Sequence, residues 1–253
     1  MLIVKHETYN DMSRAVANMI AREIRNNPHT VLCLATGSTP IGIYQELVRL
    51  HREEDLDFSQ VTTFNLDEYY GLDKNDPQSY SYFMREHLFA HVNVSEQNIH
   101  HIRVPSNNLE DVARYCQEYE LKIKQAGGFD ILIDGIGLNG HIGFNEPADE
   151  LQSYTHLVDL TQSTIEANSR FFSSMDEVPR HALTMGMATI LGAKKILLVA
   201  SGKHKAEIVN TIMDATITTQ IPATLLHLHH DTEMHVDSKA AQLVDQKRSA
   251  ERS

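Results

Sequence analysis

The stretch VLCLATGSTPIGIYQELVRLHREE, residues 31–54, decides the architecture. Val31–Ala35 (VLCLA) is a continuous apolar run of strand length, which fits a strand covered on both faces. Thr36-Gly37-Ser38-Thr39-Pro40 is a tight turn, and Ile41–Glu54 repeats its apolar residues at helical spacing, with Pro40 suited to the first turn. Strand, turn and helix in immediate succession open a βαβ unit on a parallel sheet.

The alternation continues on both sides. Val61–Leu66 (VTTFNL), Asp130–Gly135 (DILIDG) and Lys195–Ala200 (KILLVA) read as further buried strands. Tyr9–Asn26, Ser79–Ala90, Leu109–Gln125, Thr161–Phe172 and Lys203–Met213 read as helices. The fold class is therefore α/β: a doubly wound, mostly parallel sheet with helices on both faces, Rossmann-like. No repeat, low-complexity tract or Gly/Ser linker divides the 253 residues, so one domain is expected over 1–253, fraying only after Val244.

Composition excludes whole classes of partner. Twenty-two Lys and Arg against 34 Asp and Glu leave a net charge of −12, which argues against nucleic acid or an anionic membrane surface. No apolar stretch reaches the length of a bilayer span and no export signal is visible. Cys33 and Cys116 are too few for a disulfide framework, so a reducing, cytoplasmic setting is expected. Among the 15 histidines, His227, His229, His230 and His235 cluster near the C-terminus, with 227 and 229 placed to share a strand face. No Cys or well-spaced carboxylate completes a metal site there, and packing or surface histidines are expected instead.

Three strand ends carry the chemistry. The Gly37-Ser38-Thr39 turn offers backbone N–H groups, hydroxyls and a helix N-terminus, a cradle for a small phosphate that lacks both the P-loop and the dinucleotide fingerprints. The same residues could simply cap the helix. After the second strand, Asp67 and Glu68 stand where open α/β proteins put ligands, and alternation should point them in different directions. A loop cap or solvated turn is the alternative for that pair. The third strand runs into GIGLNGHIGFNEP, residues 135–147, which embeds His141 among four glycines, with Asn139 and Glu146 able to fix its tautomer or its charge. A structural hydrogen-bonding role for His141 stays open. Arg170 on a helix and Lys205 at a strand-to-helix turn could supply the cations that a phosphate needs in an acidic chain, or could be surface charges.

Assembled in order, LATGSTPIGIY, VTTFNLDEYYGL, QSYSYFMREHLF, GIGLNGHIGFNEP, ANSRFF, VPRHALTMG and SGKHKA resemble the glucosamine-6-phosphate deaminase family over nearly the whole chain. The resemblance implies conversion of glucosamine 6-phosphate and water to fructose 6-phosphate and ammonia, without metal, flavin or nicotinamide. It places the enolisation base on Asp67 and the ring-opening histidine on His141, supported by Asn139 and Glu146. It places phosphate contacts on Gly37, Ser38, Thr39, Arg170 and Lys205. Some family members carry Asp where this chain has Asn139, so here the position orients His141 without charge. The regulated hexameric members bind N-acetylglucosamine 6-phosphate through hydroxyl and basic residues; this chain has Asp149, Glu150, His156 and Val158 there, so that site is expected to be absent. The resemblance leaves monomer and homo-oligomer open, and implies a mobile lid around 150–180.

Three other readings stay in view. A galactosamine-6-phosphate deaminase would use the same machinery on the C4 epimer. A 6-phosphogluconolactonase-like hydrolase normally has Arg after the DE pair, where this chain has Tyr69, and lacks the NEP segment. A non-catalytic sugar-phosphate sensor needs the phosphate contacts but no base, and Asp67, His141 and Glu146 are all present.

Overall fold

The structure, a computed structural model, describes residues 1–102, 108–169, 172–214 and 216–250. Along the chain the elements are β1 (Leu2–His6), α1 (Tyr9–Asn26), β2 (Val31–Leu34), α2 (Ile41–Glu54), β3 (Thr62–Asn65), β4 (Asp67–Tyr69) and α3 (Tyr80–His87). There follow β5 (Ile99–His100), α4 (Leu109–Gln125), β6 (Ile131–Gly135), β7 (His156–Asp159), α5 (Gln162–Asn168), β8 (His181–Thr184) and α6 (Met187–Leu191). The C-terminal part adds β9 (Lys195–Ala200), α7 (Ala206–Met213), β10 (Thr232–Asp237) and α8 (Ser238–Ala250).

Seven strands form one all-parallel sheet in the order β1-β10-β9-β6-β2-β3-β5. The period of two in each strand sorts its side chains between two cores. Leu32, Leu34, Ile131, Ile133, Leu197 and Val199 face α1, α2 and α3, whereas Cys33, Leu132, Ile196 and Leu198 face α4, α7 and α8. This is why the strands read as unbroken apolar runs, and it is the doubly wound architecture expected from the alternation. From β2 the chain winds outward through β3 to β5, then crosses back to β6 on the other side. The winding thus reverses between β2 and β6, and ligands bind at such a reversal, beyond the carboxyl ends of the strands.

A second, three-stranded antiparallel sheet, β4-β8-β7, was not expected. It corrects the reading of Asp67 and Glu68 as loop residues: both are strand residues, with Asp67 opposite Thr184 and Glu68 opposite Leu183. It also carries a small core of its own, in which Tyr69, Phe144, Leu160, Ile165, Val178 and Ala182 are buried together. Residues 227–229 are a second correction, because Pro222–Leu228 is a 3-10 turn with Pro at its start, not a strand. The His227 ring bonds the Ile212 carbonyl at 2.8 Å, and His229 bonds the Ala193 carbonyl at 2.7 Å and the Thr232 hydroxyl at 3.0 Å. Three predicted helices are shorter than expected: the segment from Ser79 gives α3 followed by a 3-10 turn at Phe89–His91, Lys203–Lys205 is a 3-10 turn ahead of α7, and the helix read over Thr161–Phe172 is α5, with Thr161 as its N-cap and its end at Asn168.

Candidate active site

The phosphate-type turn sits at the β2 edge of the reversal. Gly37 has φ +103°, a backbone region closed to most residues with a side chain, and this lets the chain fold back directly into α2. Ser38 and Thr39 are not the helix cap that the sequence allowed. The cap is Tyr9, reaching over from α1: its hydroxyl accepts the Gly42 N–H at 2.7 Å and donates to the Thr39 carbonyl at 2.9 Å. Among the described residues neither hydroxyl of Ser38 and Thr39 has a hydrogen-bond partner, and Ser38 is exposed. Borrowing the cap from α1 leaves both hydroxyls available to a ligand.

Across the reversal, β6 ends in the glycine-rich loop. The Gly137 N–H bonds the His141 carbonyl at 3.1 Å and the Gly140 N–H bonds the Gly137 carbonyl at 3.0 Å, closing a tight turn that brings the His141 ring flat over Gly137. A Cβ at Gly137 would lie 2.3 Å from the ring, so the imidazole occupies the space that any side chain there would fill. The ring remains 27% exposed, enough for a substrate to reach it, and its Nδ1 faces Glu146 Oε1 at 3.5 Å. At that distance the pair is an electrostatic contact, not a well-formed hydrogen bond.

Glu146 is itself buried and held from two sides. Asn139 Nδ2 donates to its Oε2 at 2.6 Å, and the Thr164 hydroxyl of α5 donates to its Oε1. Burial pushes the Glu146 carboxyl upward, but His141, Thr164 and Asn139 together outweigh it and hold the pKa below the ordinary value. Asn139 also accepts the His141 N–H through Oδ1 at 3.2 Å, so it bridges the two members of the pair without charge of its own.

The alternation of β4 separates its two carboxylates as expected. Glu68 turns inward to cap α3: it accepts the Tyr80 N–H, the Ser81 N–H and the Ser81 hydroxyl, each at 2.9 Å. It is a structural residue. Asp67 is buried and, among the described residues, its carboxyl has no hydrogen-bond partner. Burial, then the charges of Asp134 and Glu68, push its carboxyl well above the usual range. A carboxylate kept basic and unengaged at a strand end is the environment that a general base needs.

Sequence reasoning overlooked Asp134. It lies on β6 with the parity of Leu132, on the face of Cys33, and its carboxylate accepts the N–H groups of Gly135 at 2.7 Å and Gly143 at 3.2 Å. Burial lifts its pKa to about 8. Gly143 in turn packs against Thr184, the residue paired with Asp67, and Thr184 bonds the Phe144 N–H at 3.1 Å. Asp134, the loop and Asp67 are thereby one connected structure. Asn145 was also missed; it ties the loop to the Ile142 and Met185 carbonyls. A polar residue ending an apolar strand was the available signal for Asp134; nothing local marked Thr164.

Of the two expected cations, Lys205 stands in the turn after β9 and its ammonium reaches the Ile136 carbonyl at 2.5 Å, beside the glycine loop. Asp237 shapes that turn by accepting from Ser201 and from the Gly202 N–H. Arg170 lies outside the described residues. Thus the structure gathers Gly37, Ser38, Thr39, Asp67, Asn139, His141, Glu146 and Lys205 at the strand ends around the sheet's reversal. Among the described residues no group of three or more His, Cys, Asp or Glu is arranged to hold a metal ion.

Comparison with known proteins agrees with this geometry. The family model for glucosamine-6-phosphate isomerases/6-phosphogluconolactonase matches residues 4–236. The chain belongs to this family. Within it, the chain is similar to a glucosamine-6-phosphate deaminase of Halothermothrix orenii, 50% identical over 96% of this chain and 100% of the relative. A glucosamine-6-phosphate deaminase of Thermoanaerobacter sp. (strain X514) is 48% identical over 96% and 95% of the two chains. The solved structure of a monomeric glucosamine-6-phosphate deaminase of the NagB superfamily superposes with a TM-score of 0.92 at 44% identity, covering 96% of this chain and 100% of that one. A 6-phosphogluconolactonase from Thermotoga maritima, 20% identical over 93% and 99% of the chains with a TM-score of 0.72, shares the family's fold.

Proposed function

We propose that the chain is a glucosamine-6-phosphate deaminase, an aldose–ketose isomerase that converts glucosamine 6-phosphate and water to fructose 6-phosphate and ammonia. The observation that carries the reading is the pairing of an unengaged buried carboxylate, Asp67, with a separate histidine–carboxylate couple, His141 and Glu146, at neighbouring strand ends. Two proton-transfer stations are what the reaction demands. His141 moves a proton between O5 and O1 to open the pyranose, with Glu146 supporting the imidazolium and Asn139 fixing its orientation. In the open chain the C1 carbonyl acidifies C2; Asp67 removes the C2 proton and returns it to C1, leaving an imine at C2 to which water adds before ammonia departs. Gly37, Ser38, Thr39, Lys205 and Arg170 hold the phosphate.

The segment 150–180 is proposed as a lid within a single domain spanning 1–253. Its support is the seating of Leu160 and Ile165 on the small core beside Tyr69 and Phe144, where excluding water would protect the enolamine. Insensitivity to N-acetylglucosamine 6-phosphate is proposed from Asp149, which bonds Gln220 at 3.2 Å, Glu150, His156 and Val158; none of the four can pair with a phosphate as an Arg or Lys would. Among the described residues no helix is long and apolar enough to cross a membrane, and a cytoplasmic site of action is proposed.

Ammonia and fructose 6-phosphate are measured from glucosamine 6-phosphate, with galactosamine 6-phosphate in parallel and Asp67→Asn as control. Turnover of the gluco sugar, abolished in the variant, is expected. Equal turnover by Asp67→Asn removes the base assignment, and absence of ammonia from wild type removes the reading.

A further inference from the structure

Glu146 presents two oxygens to different partners. Oε2 is taken by Asn139, within the same loop. Oε1 is shared: His141 Nδ1 faces it from the loop, and the Thr164 hydroxyl donates to it from α5, on a different part of the chain. Thr164 is buried, and its hydroxyl is oriented by a neighbour. Thr161, the N-cap of α5, accepts the Thr164 N–H at 3.3 Å and donates its own hydroxyl to Thr164 Oγ1 at 3.1 Å. The two threonines therefore form a directed chain, in which each O–H points toward the carboxylate and polarises the next. Ile165, the next residue, is buried in the small core, so the helix that carries Thr164 is fixed against the site by packing as well as by the bond.

We propose that Thr164 is a positioning residue for the ring-opening step, its hydroxyl holding Glu146 Oε1 ionised and aimed at His141 and so making the His141–Glu146 couple depend on α5 being seated. The role rests on the deaminase reading above. The logic is competitive: a carboxylate that already accepts from Thr164 and Asn139 is a weaker proton acceptor, so a proton on His141 stays available to the sugar oxygen and does not pass to Glu146. Among the described residues, His141 is the charged group whose effect on Glu146 is resolved. From its own loop the charged partner of Glu146 is His141 alone, and on α5 the Glu166 carboxylate is exposed and turned to Gln162 at 2.9 Å. The direction of the Glu146 titration, held below the ordinary value in part by Thr164, agrees.

The test uses the full chain labelled with carboxyl-13C glutamate, the Glu146 signal being identified by its loss in Glu146→Gln. Thr164→Val should raise the pH at which Glu146 takes up its proton by about one unit, the scale of one hydrogen bond to a charged group. The same variant should lower kcat about tenfold with little change in KM, and Thr164→Ser, which keeps the hydroxyl, should restore both. If Thr164→Val does not fold, the comparison is made between Thr164→Ala and Thr164→Ser. Titration of Glu146 unchanged by loss of the hydroxyl, or failure of Ser to restore it, overturns the proposal. The titration needs no turnover, so a wild-type protein that releases no ammonia would refute the deaminase reading separately.

Discussion

Replacing Asp134 by Asn should make the protein less stable in acid and more stable in base, and the size of the effect follows from its surroundings. The carboxyl is buried and its pKa lies near about 8, against an ordinary 3.8. Between those values the folded state holds a proton that the unfolded chain has released, so stability falls as pH rises through this window and levels off above it. About four units at about 1.4 kcal/mol each set a ceiling of about 6 kcal/mol on the penalty above pH 8. Asn carries no such penalty, but its amide can accept only one of the two N–H groups now bonded, from Gly135 and Gly143, which costs about 1–2 kcal/mol at every pH. The two stability curves should therefore cross: at pH 4 the variant unfolds at lower urea than wild type, and at pH 8.5 it gains about 4 kcal/mol. Parallel urea curves at pH 4 and pH 8.5 would refute the assignment of a protonated, buried Asp134.

Three further outcomes are expected. Gly137→Ala places a methyl 2.3 Å from the His141 ring, so the ring must leave; ammonia release should drop at least about a hundredfold while the melting temperature shifts by only a few degrees, and an active variant would show that the ring is not where catalysis needs it. Tyr9→Phe removes the borrowed cap of α2, with a loss of about 1–2 kcal/mol and a raised KM at nearly unchanged kcat; a fall confined to kcat would count against a role in shaping the phosphate turn. Glu68→Ala strands two N–H groups and a hydroxyl at the start of α3 and should cost about 2–4 kcal/mol by urea unfolding, whereas a change within half a kcal/mol would show that Glu68 is not the structural member of the carboxylate pair.

What the sequence made legible were features whose cause is local. β2, β6 and β9 are covered on both faces and so read as unbroken apolar runs, and α1, α2 and α4 have the observed ends because their periodicity is regular. His141, Asn139 and Glu146 were legible because one glycine-rich loop carries all three. What escaped depends on distant partners. β1 and β10 escaped because LIVKH and TEMHVD interleave polar residues that find polar partners in the sheet: Glu233 meets Lys195 of β9 at 2.6 Å and His235 of its own strand at 3.1 Å, and His235 meets His6 of β1 at 3.0 Å. β4 is three residues long and exists only because β8, more than a hundred residues later, pairs with it, so Asp67 and Glu68 look like a turn when read alone. Tyr9 and Thr164 act on other elements than their own, and no pattern within α1 or α5 announces a cap for α2 or a bond to Glu146.

The placement of charge gives the proposed reaction a further constraint. In an acidic chain Lys205 stands at the β9 turn beside the glycine loop, while Asp67 is buried where burial and then the charges of Asp134 and Glu68 oppose its ionisation. The proposed substrate carries charge of both signs: a phosphate at C6 and an ammonium at C2. Bound with the phosphate at Lys205 and the Gly37 turn, it would present its ammonium to Asp67, and a cation there favours the charged form of that carboxyl. The arriving substrate would then lower the raised pKa of Asp67 next to the C2 proton it must take. A sugar phosphate that lacks the amine should accordingly bind with proton release smaller than that of an amino-sugar phosphate, as measured by calorimetry in buffers of different ionisation enthalpy. Equal proton release for the two ligands would mean that Asp67 is ionised by some group other than the substrate amine.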